Sequence, residues 1–121
     1  MKYRLERINE LMRRELSDLI MKEVKDPRIK GLVSITQVKV DQDLKNAKIY
    51  VSIYGVSKKE KEKVLAGLVS SSKFLHFKLS ENIRLKIIPT LNFILDESIE
   101  KAFRIIEKLD KIKDQEKKHD Q

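Results

Sequence analysis

The chain has 121 residues, 40% hydrophobic and 38% charged, which suits one domain around one modest core. Lysine and arginine number 27 against 19 aspartates and glutamates, a net charge of +8 that points to a polyanionic partner, nucleic acid before an anionic membrane surface. There is no cysteine, and His76 and His119 are far apart, so disulfides, thiolate zinc sites, thiol catalysis and histidine-cluster enzymes have no material.

The first element is a helix from about Tyr3 to Val24. Leu5, Ile8, Met12, Leu16, Leu19 and Ile20 recur at three- and four-residue steps, with Leu11 widening the stripe. Asp26-Pro27 ends it, because proline disfavours helical geometry in the residue before it. Leu32–Val40 reads as a strand whose apolar set changes phase, from Val33 and Ile35 to Val38 and Val40. A bulge near Thr36-Gln37, or burial on both faces, accounts for that change. Asp41–Asn46 is a turn. Ala47, Ile49, Val51 and Ile53 then alternate with Lys48, Tyr50, Ser52 and Tyr54, the pattern of a half-buried strand in a hairpin.

Gly55 closes that strand, and Ser57-Lys58-Lys59-Glu60 has the form of a capping box. Val64, Leu65 and Leu68 give the following helix an apolar face. Ser70-Ser71-Ser72 interrupts it, since serine hydroxyls compete for backbone hydrogen bonds. Lys73–Leu79 is helical again, so two short helices meet at a kink. A third strand is predicted over Arg84–Leu95, with Leu85, Ile87, Leu91, Phe93 and Leu95 facing the core. Pro89 within it argues for an edge position or a bulge. Asp96 can cap the last helix, and Ile99, Ala102, Phe103, Ile106 and Leu109 form the stripe expected to be buried. The fold class is α+β in the order αββααβα, a three-stranded sheet packed by helices. Residues 1–112 make the domain, and 113–121 a charged tail expected to fray.

Sequences that build phosphate loops, dinucleotide sites or zinc-protease sites do not occur. Asp41, Asp43 and Asn46 resemble a cation loop, but no glycine or bidentate glutamate follows at calcium-loop spacing. No metal and no cofactor are expected. No apolar run is long enough to span a membrane. The N-terminus MKYRLERINE lacks an apolar signal core, so a cytoplasmic protein is expected.

The basic residues carry the functional signal. Residues 107–121 hold five basic and five acidic groups, so the whole positive excess lies on residues 1–106. Arg7 and Arg14, seven apart, share a helix face with Arg4 beside them. Lys25, Arg28 and Lys30 cluster in the loop after the first helix. Lys73, Lys78, Arg84 and Lys86 cluster around the helix pair and third strand. Ser71 and Ser72 stand at the kink, where freed N–H groups would make an anion-binding helix start. These twelve residues are the candidate RNA-binding set. The bland alternative for each is a solvated charge on an amphipathic helix.

The order αββααβ is one in which type II KH-like RNA-binding modules are built. KH domains clamp the nucleic-acid backbone with a GXXG loop between two helices, where this chain has Ser70-Ser71-Ser72-Lys73 and no glycine. The chain also resembles the ribosome-binding factor A family, from about Arg7 to Leu109. The resemblance rests on Lys25-Asp26-Pro27-Arg28-Ile29, on Val38-Lys39-Val40, and on Asp43-Leu44-Lys45-Asn46-Ala47-Lys48-Ile49-Tyr50-Val51. It continues through Arg84-Leu85-Lys86-Ile87-Ile88-Pro89-Thr90-Leu91-Asn92-Phe93 and Asp96-Glu97-Ser98. The family's Ala-x-Gly kink aligns with Ser71-Ser72-Lys73, and its Pro-Glu-Leu with Pro89-Thr90-Leu91.

The resemblance implies a KH-like fold and a non-enzymatic assembly factor. Such a factor binds the immature small ribosomal subunit, promotes late maturation of its ribosomal RNA, and leaves before translation. The expected partners are that subunit and its RNA, with no membrane, and the protein is expected to be a monomer. The rivals are a generic KH-like module for single-stranded nucleic acid, an enzyme with an unrecognised carboxylate, and a protein-interaction domain using its sheet face.

Overall fold

The computed structural model describes residues 2–119, and the side chains of residues 4–115. Helix α1 (Lys2–Lys22) buries Ile8, Met12, Leu16, Leu19 and Ile20 as its apolar spacing requires. The chain then turns through Asp26-Pro27 to Gly31. Gly31 has φ +76°, and a Cβ there would lie 2.4 Å from the Tyr54 carbonyl oxygen, so the turn admits only glycine without a shift.

Strands β1 (Leu32–Val40) and β2 (Asn46–Tyr54) pair antiparallel. The register steps between Ile35, opposite Val51, and Gln37, opposite Tyr50. Thr36 is therefore the extra residue of a β-bulge, which turns Val38 and Val40 to the same face as Ile35. In the hairpin, Leu44 sits at φ 62°, and the Lys45 N–H donates to Asp43 Oδ1 at 3.1 Å. Asp43 thus serves the turn. Among the described residues no group of three or more potential metal-ligating side chains gathers.

Helices α2 (Lys58–Ser70) and α3 (Ser72–Asn82) meet at Ser71. Ser57 caps α2, its Oγ accepting the Glu60 N–H at 3.3 Å. Strand β3 (Thr90–Leu95) runs parallel to β2 and completes a sheet ordered β1-β2-β3. It is shorter than the pattern over Arg84–Leu95 predicts. Pro89 has no N–H to donate, and the hydrogen bonding starts one residue later, with Thr90 N–H donating to the Lys45 carbonyl at 2.9 Å. Ile87, expected in the core, is therefore exposed in the connection before β3. The edge position that Pro89 argues for is where β3 lies.

Helix α1 packs on β1 and α3, while α2 and α3 pack on β3. Their apolar faces meet the inward side of the sheet, where Met12, Leu16, Ile49, Ile53, Leu68, Leu75 and Leu79 are fully buried. Truncating such a side chain to alanine typically costs about 2–5 kcal/mol. The α+β order αββααβα is completed by α4 (Ser98–His119).

Helix α4 departs from the expectation in two ways. It continues past Ile112 through His119, beyond the point where apolar periodicity lapses; residues 120–121 of the expected tail lie outside the described residues. Its apolar stripe is not buried: exposure runs from 47% at Ile99 to 62% at Phe103, and Ala102, Ile106 and Leu109 are exposed as well. The reason is where the helix is fastened. Glu100, in its first turn, forms an ion pair with Lys61 of α2, while residues 101–115 are exposed on every side, so α4 is fastened at its start and extends from the body. The inward face of the sheet is already covered by α1, α2 and α3. Among the described residues, no helix is long and apolar enough to cross a membrane.

Candidate nucleic-acid interface

The turn after α1 is built by Asp26. Its Oδ1 accepts the Arg28 N–H at 2.9 Å and Arg28 Nε at 3.0 Å, and its Oδ2 accepts an Arg28 terminal nitrogen at 2.7 Å. The Ile29 N–H closes the turn on the Asp26 carbonyl at 3.0 Å. These bonds from Arg28 hold the Asp26 carboxyl at about 2, below its ordinary 3.8. Arg28, expected as a free phosphate contact, is therefore committed to an intramolecular fork with Asp26, which partly neutralises it. Lys25 and Lys30 are exposed and form no ion pair among the described residues.

The turn is seated against α2 at Gly67. A Cβ there would meet Ile29 Cγ1 at 3.1 Å and Arg28 Cβ at 3.4 Å, so the missing side chain lets the turn approach. The seating forms a concavity lined by Pro27, Arg28, Lys30, Glu60 and Lys63. Lys63 is absent from the candidate set, although its position is legible: Glu60, Lys63 and Gly67 share one face of α2. A glycine inside that helical run is the sign that something packs there.

One turn beyond Gly67 lies the helix junction. The Ser71 N–H is not free; it donates to the carbonyls of Gly67 and Leu68 at 3.0 and 3.1 Å. The Ser71 and Ser72 hydroxyls also point back along α2, donating to the Gly67 and Leu68 carbonyls at 2.9 and 3.4 Å. That corrects the expectation of an unpaired N–H at Ser71. Ser71 gives α3 no side-chain cap. A second concavity opens there, lined by Ser72, Lys73, His76, Thr90 and Leu91. Lys73 is exposed, and His76 Nε2 lies 2.9 Å from the Ile88 carbonyl, joining α3 to the segment before β3. His76 is thus half-buried and hydrogen-bonded, the structural role its apolar neighbours suggest.

The remaining candidates are dispersed. Lys78 faces Glu23, just after α1, at 3.9 Å and Glu81 at 4.0 Å, with the Phe74 ring centroid 5.9 Å away, so its charge is shared within the fold. Arg84 and Lys86 are exposed in the connection before β3. Arg4, Arg7 and Arg14 lie on the exposed side of α1. That helix packs over β1, at the sheet edge opposite the α2–β3 concavities. Arg14 contacts Glu10 at 3.2 Å and Arg13 contacts it at 2.6 Å, and together they hold the Glu10 carboxyl at about 2. The structure therefore brings the Asp26–Pro27–Arg28 turn and the junction together along α2, and leaves the α1 arginines elsewhere.

Fold and site define a KH-like module whose basic residues border two concavities along one helix. The family model described as "Ribosome-binding factor A" matches residues 4–109. The chain is 43% identical over 109 residues to ribosome-binding factor A of Dictyoglomus thermophilum, covering 90% of each chain. It belongs to the ribosome-binding factor A family. The crystal structure of ribosome-binding factor A from Thermus thermophilus superposes with a TM-score of 0.68 at 21% identity, covering 78% of this chain and 97% of that one. A homology model of the Thermus thermophilus factor, fitted into a cryo-electron-microscopy map of a complex with the 30S particle, gives a TM-score of 0.60 at 21% identity, covering 74% and 91%.

Proposed function

We propose that this protein binds the small ribosomal subunit through its ribosomal RNA and promotes late maturation of that RNA, without catalysis and without a cofactor. Membership of the ribosome-binding factor A family carries the reading, and a related protein has been fitted into a 30S complex. The chain's own residues support it through charge and shape. Lys30 and Lys63 border one concavity and Lys73 the other, in a chain of net charge +8. Phosphate contacts from such residues anchor the RNA, and the concave backbone between them selects its shape.

The twelve candidate residues rank by availability. Lys25, Lys30 and Lys73 are free to bind phosphate. Arg28, Lys78 and Arg14 must give up or share an acidic partner. Ser71 and Ser72 shape the junction, with their hydroxyls turned into α2. Arg4, Arg7, Arg84 and Lys86 are peripheral contacts. The mechanism is differential binding: a protein that holds one RNA conformation more tightly shifts the RNA toward it. The proposed setting is the cytoplasm, where the small subunit is assembled.

Sedimentation of cell extracts tests this. Co-migration with free small subunits and absence from translating ribosomes is the expected result. A protein that stays at the top of the gradient, yet binds single-stranded RNA in isolation, fits the generic KH-like module instead.

A further inference from the structure

The three strands hold two charged residues between them, Lys39 in β1 and Lys48 in β2, and no aspartate or glutamate. The register sets the two lysines directly opposite each other. Both are exposed, while their neighbours Val38, Val40, Ala47 and Ile49 are buried, so the lysines stand on the side of the sheet turned away from the helices. Like charges directly opposite on one face destabilise a strand pair. A lysine on an edge strand such as β1 guards against pairing with another sheet, but Lys48 lies on the central strand, where no edge needs guarding. Among the described residues neither lysine forms an ion pair, and Asp41, just past β1 on the same parity, pairs with neither.

Around the lysines the face is built of neutral side chains. The row Lys39, Lys48 and Asn92 crosses all three strands, and the next row is Gln37, Tyr50 and Ile94. Tyr50 is half-buried, with Lys39 Nζ 5.9 Å from its ring centroid. The start of α4 closes the far end of the face, where the Ser52 hydroxyl donates to the Asp96 carbonyl at 3.3 Å. The rest of α4 extends from the body and leaves these two rows open. At the β3 edge the face is continuous with the second concavity: Thr90, of the same parity as Asn92, also lines that concavity beside Ser72 and Lys73.

We propose that this outer sheet face holds a single-stranded stretch of RNA, with a phosphate bridging Lys39 and Lys48 and a base stacked on Tyr50. The proposal rests on the reading of the protein as an RNA binder and adds a contact face to its two concavities. Opposite Cβ atoms stand about 4.5–5.5 Å apart, so one phosphate can meet both ammonium groups and replace their repulsion by attraction to a shared charge. Tyr50, two residues along β2 and hence about 6.5–7 Å from Lys48, is within reach of the base attached to that phosphate. Stacking on an aromatic ring accepts any base, because every base has a π face. An anionic membrane surface would need a broad apolar face beside the lysines, and Gln37 and Asn92 deny it one.

Binding of the full chain to small subunits and to an unstructured RNA dodecamer of mixed sequence tests this. Lys48→Glu sets opposite charges across the strand pair, so it should hold or raise the melting temperature while weakening both affinities at least about fivefold. Lys39→Gln combined with Lys48→Gln should weaken both to a similar degree without reversing any charge. The chain has no tryptophan, so Tyr50→Trp places a single indole on the face, and the dodecamer should quench its fluorescence. Affinities unchanged in both lysine variants overturn the proposal and leave RNA binding through the concavities intact. Absence of quenching overturns it as well, even where the lysine variants weaken subunit binding, because the face then meets a ribosomal protein. A parent chain that binds neither subunit nor dodecamer overturns the RNA reading itself, and this proposal with it.

Discussion

The Thr36 hydroxyl, on the bulged residue of β1, donates a 2.7 Å hydrogen bond to Asp96 Oδ2 just beyond the end of β3. The other carboxylate oxygen accepts the Ser98 N–H at 3.0 Å, and the Asp96 N–H donates to the Val51 carbonyl at 2.7 Å. One aspartate thus ties the bulge, the central strand and the start of α4.

Thr36→Val should destabilise the fold by about 1 kcal/mol, the usual net worth of one hydrogen bond. It should also speed hydrogen exchange in the first turn of α4, because Asp96 loses the partner that holds it. Urea melts and exchange at residues 98–101 check this. Unchanged exchange there would mean that Ser98 and Val51 suffice to hold the junction.

Acid should weaken the fold through Asp26 and Glu10. Their carboxyls are held at about 2, against ordinary values of 3.8 and 4.5, by Arg28 and by Arg13 with Arg14. Hydrogen bonds from Ser98 and Thr36 lower Asp96 in the same direction. A depressed carboxylate contributes stability that is complete above its unfolded value and disappears as pH falls through its folded one. The melting-temperature gap between the wild type and a Glu10→Gln, Asp26→Asn double variant should therefore be widest near neutrality. It should close as pH falls toward about 2. A gap independent of pH would show that the ion pairs contribute nothing.

Affinity for the small subunit should fall steeply with salt. Four to eight phosphate contacts give a log–log slope of roughly −3 to −7. A slope near zero would rule out electrostatic anchoring.

Single charge removals should separate the binding residues from the structural ones. Lys30→Ala, Lys63→Ala and Lys73→Ala should each reduce the magnitude of that slope by about 1 and leave the melting temperature unchanged. Arg28→Glu should lower both affinity and melting temperature, because it sets a second carboxylate beside Asp26 in place of its partner. Equal affinity across the lysine variants would move the RNA to Arg4 and Arg7 on α1.

Gly31→Ala should cost at least about 1–2 kcal/mol from the left-handed backbone alone. The 2.4 Å approach to the Tyr54 carbonyl adds to that by displacing the start of β1 from the end of β2. A melting temperature equal to the wild type would show that the turn adapts.

Local chemistry was readable in the residues wherever it was decided within a few positions. Ser57 and Glu60 announced the start of α2, the phase change from Ile35 to Val38 announced the bulge, and Ser70–Ser72 announced the junction between helices. Alternation in Ala47–Ile53 identified the central strand and its buried side, because the pleat has a period of two. Motif order likewise identified the family, and with it the fold.

Partnership across the chain was another matter. Arg28 reads as an open cation until Asp26, two residues away, is seen to turn back and hold it. Lys63 joins the basic concavity only because Gly67 lets the turn after α1 settle on α2. Ile99, Phe103 and Ile106 have the spacing of a buried stripe, yet periodicity reports only that a helix has an apolar side. Whether anything covers that side depends on how many helices the sheet can seat and on where along its length α4 is fastened. Here α1, α2 and α3 occupy the inward face, and Lys61 grips α4 by Glu100, so the stripe is left to solvent. Residue order encodes the faces of each element; packing, a property of all the elements at once, decides which faces meet.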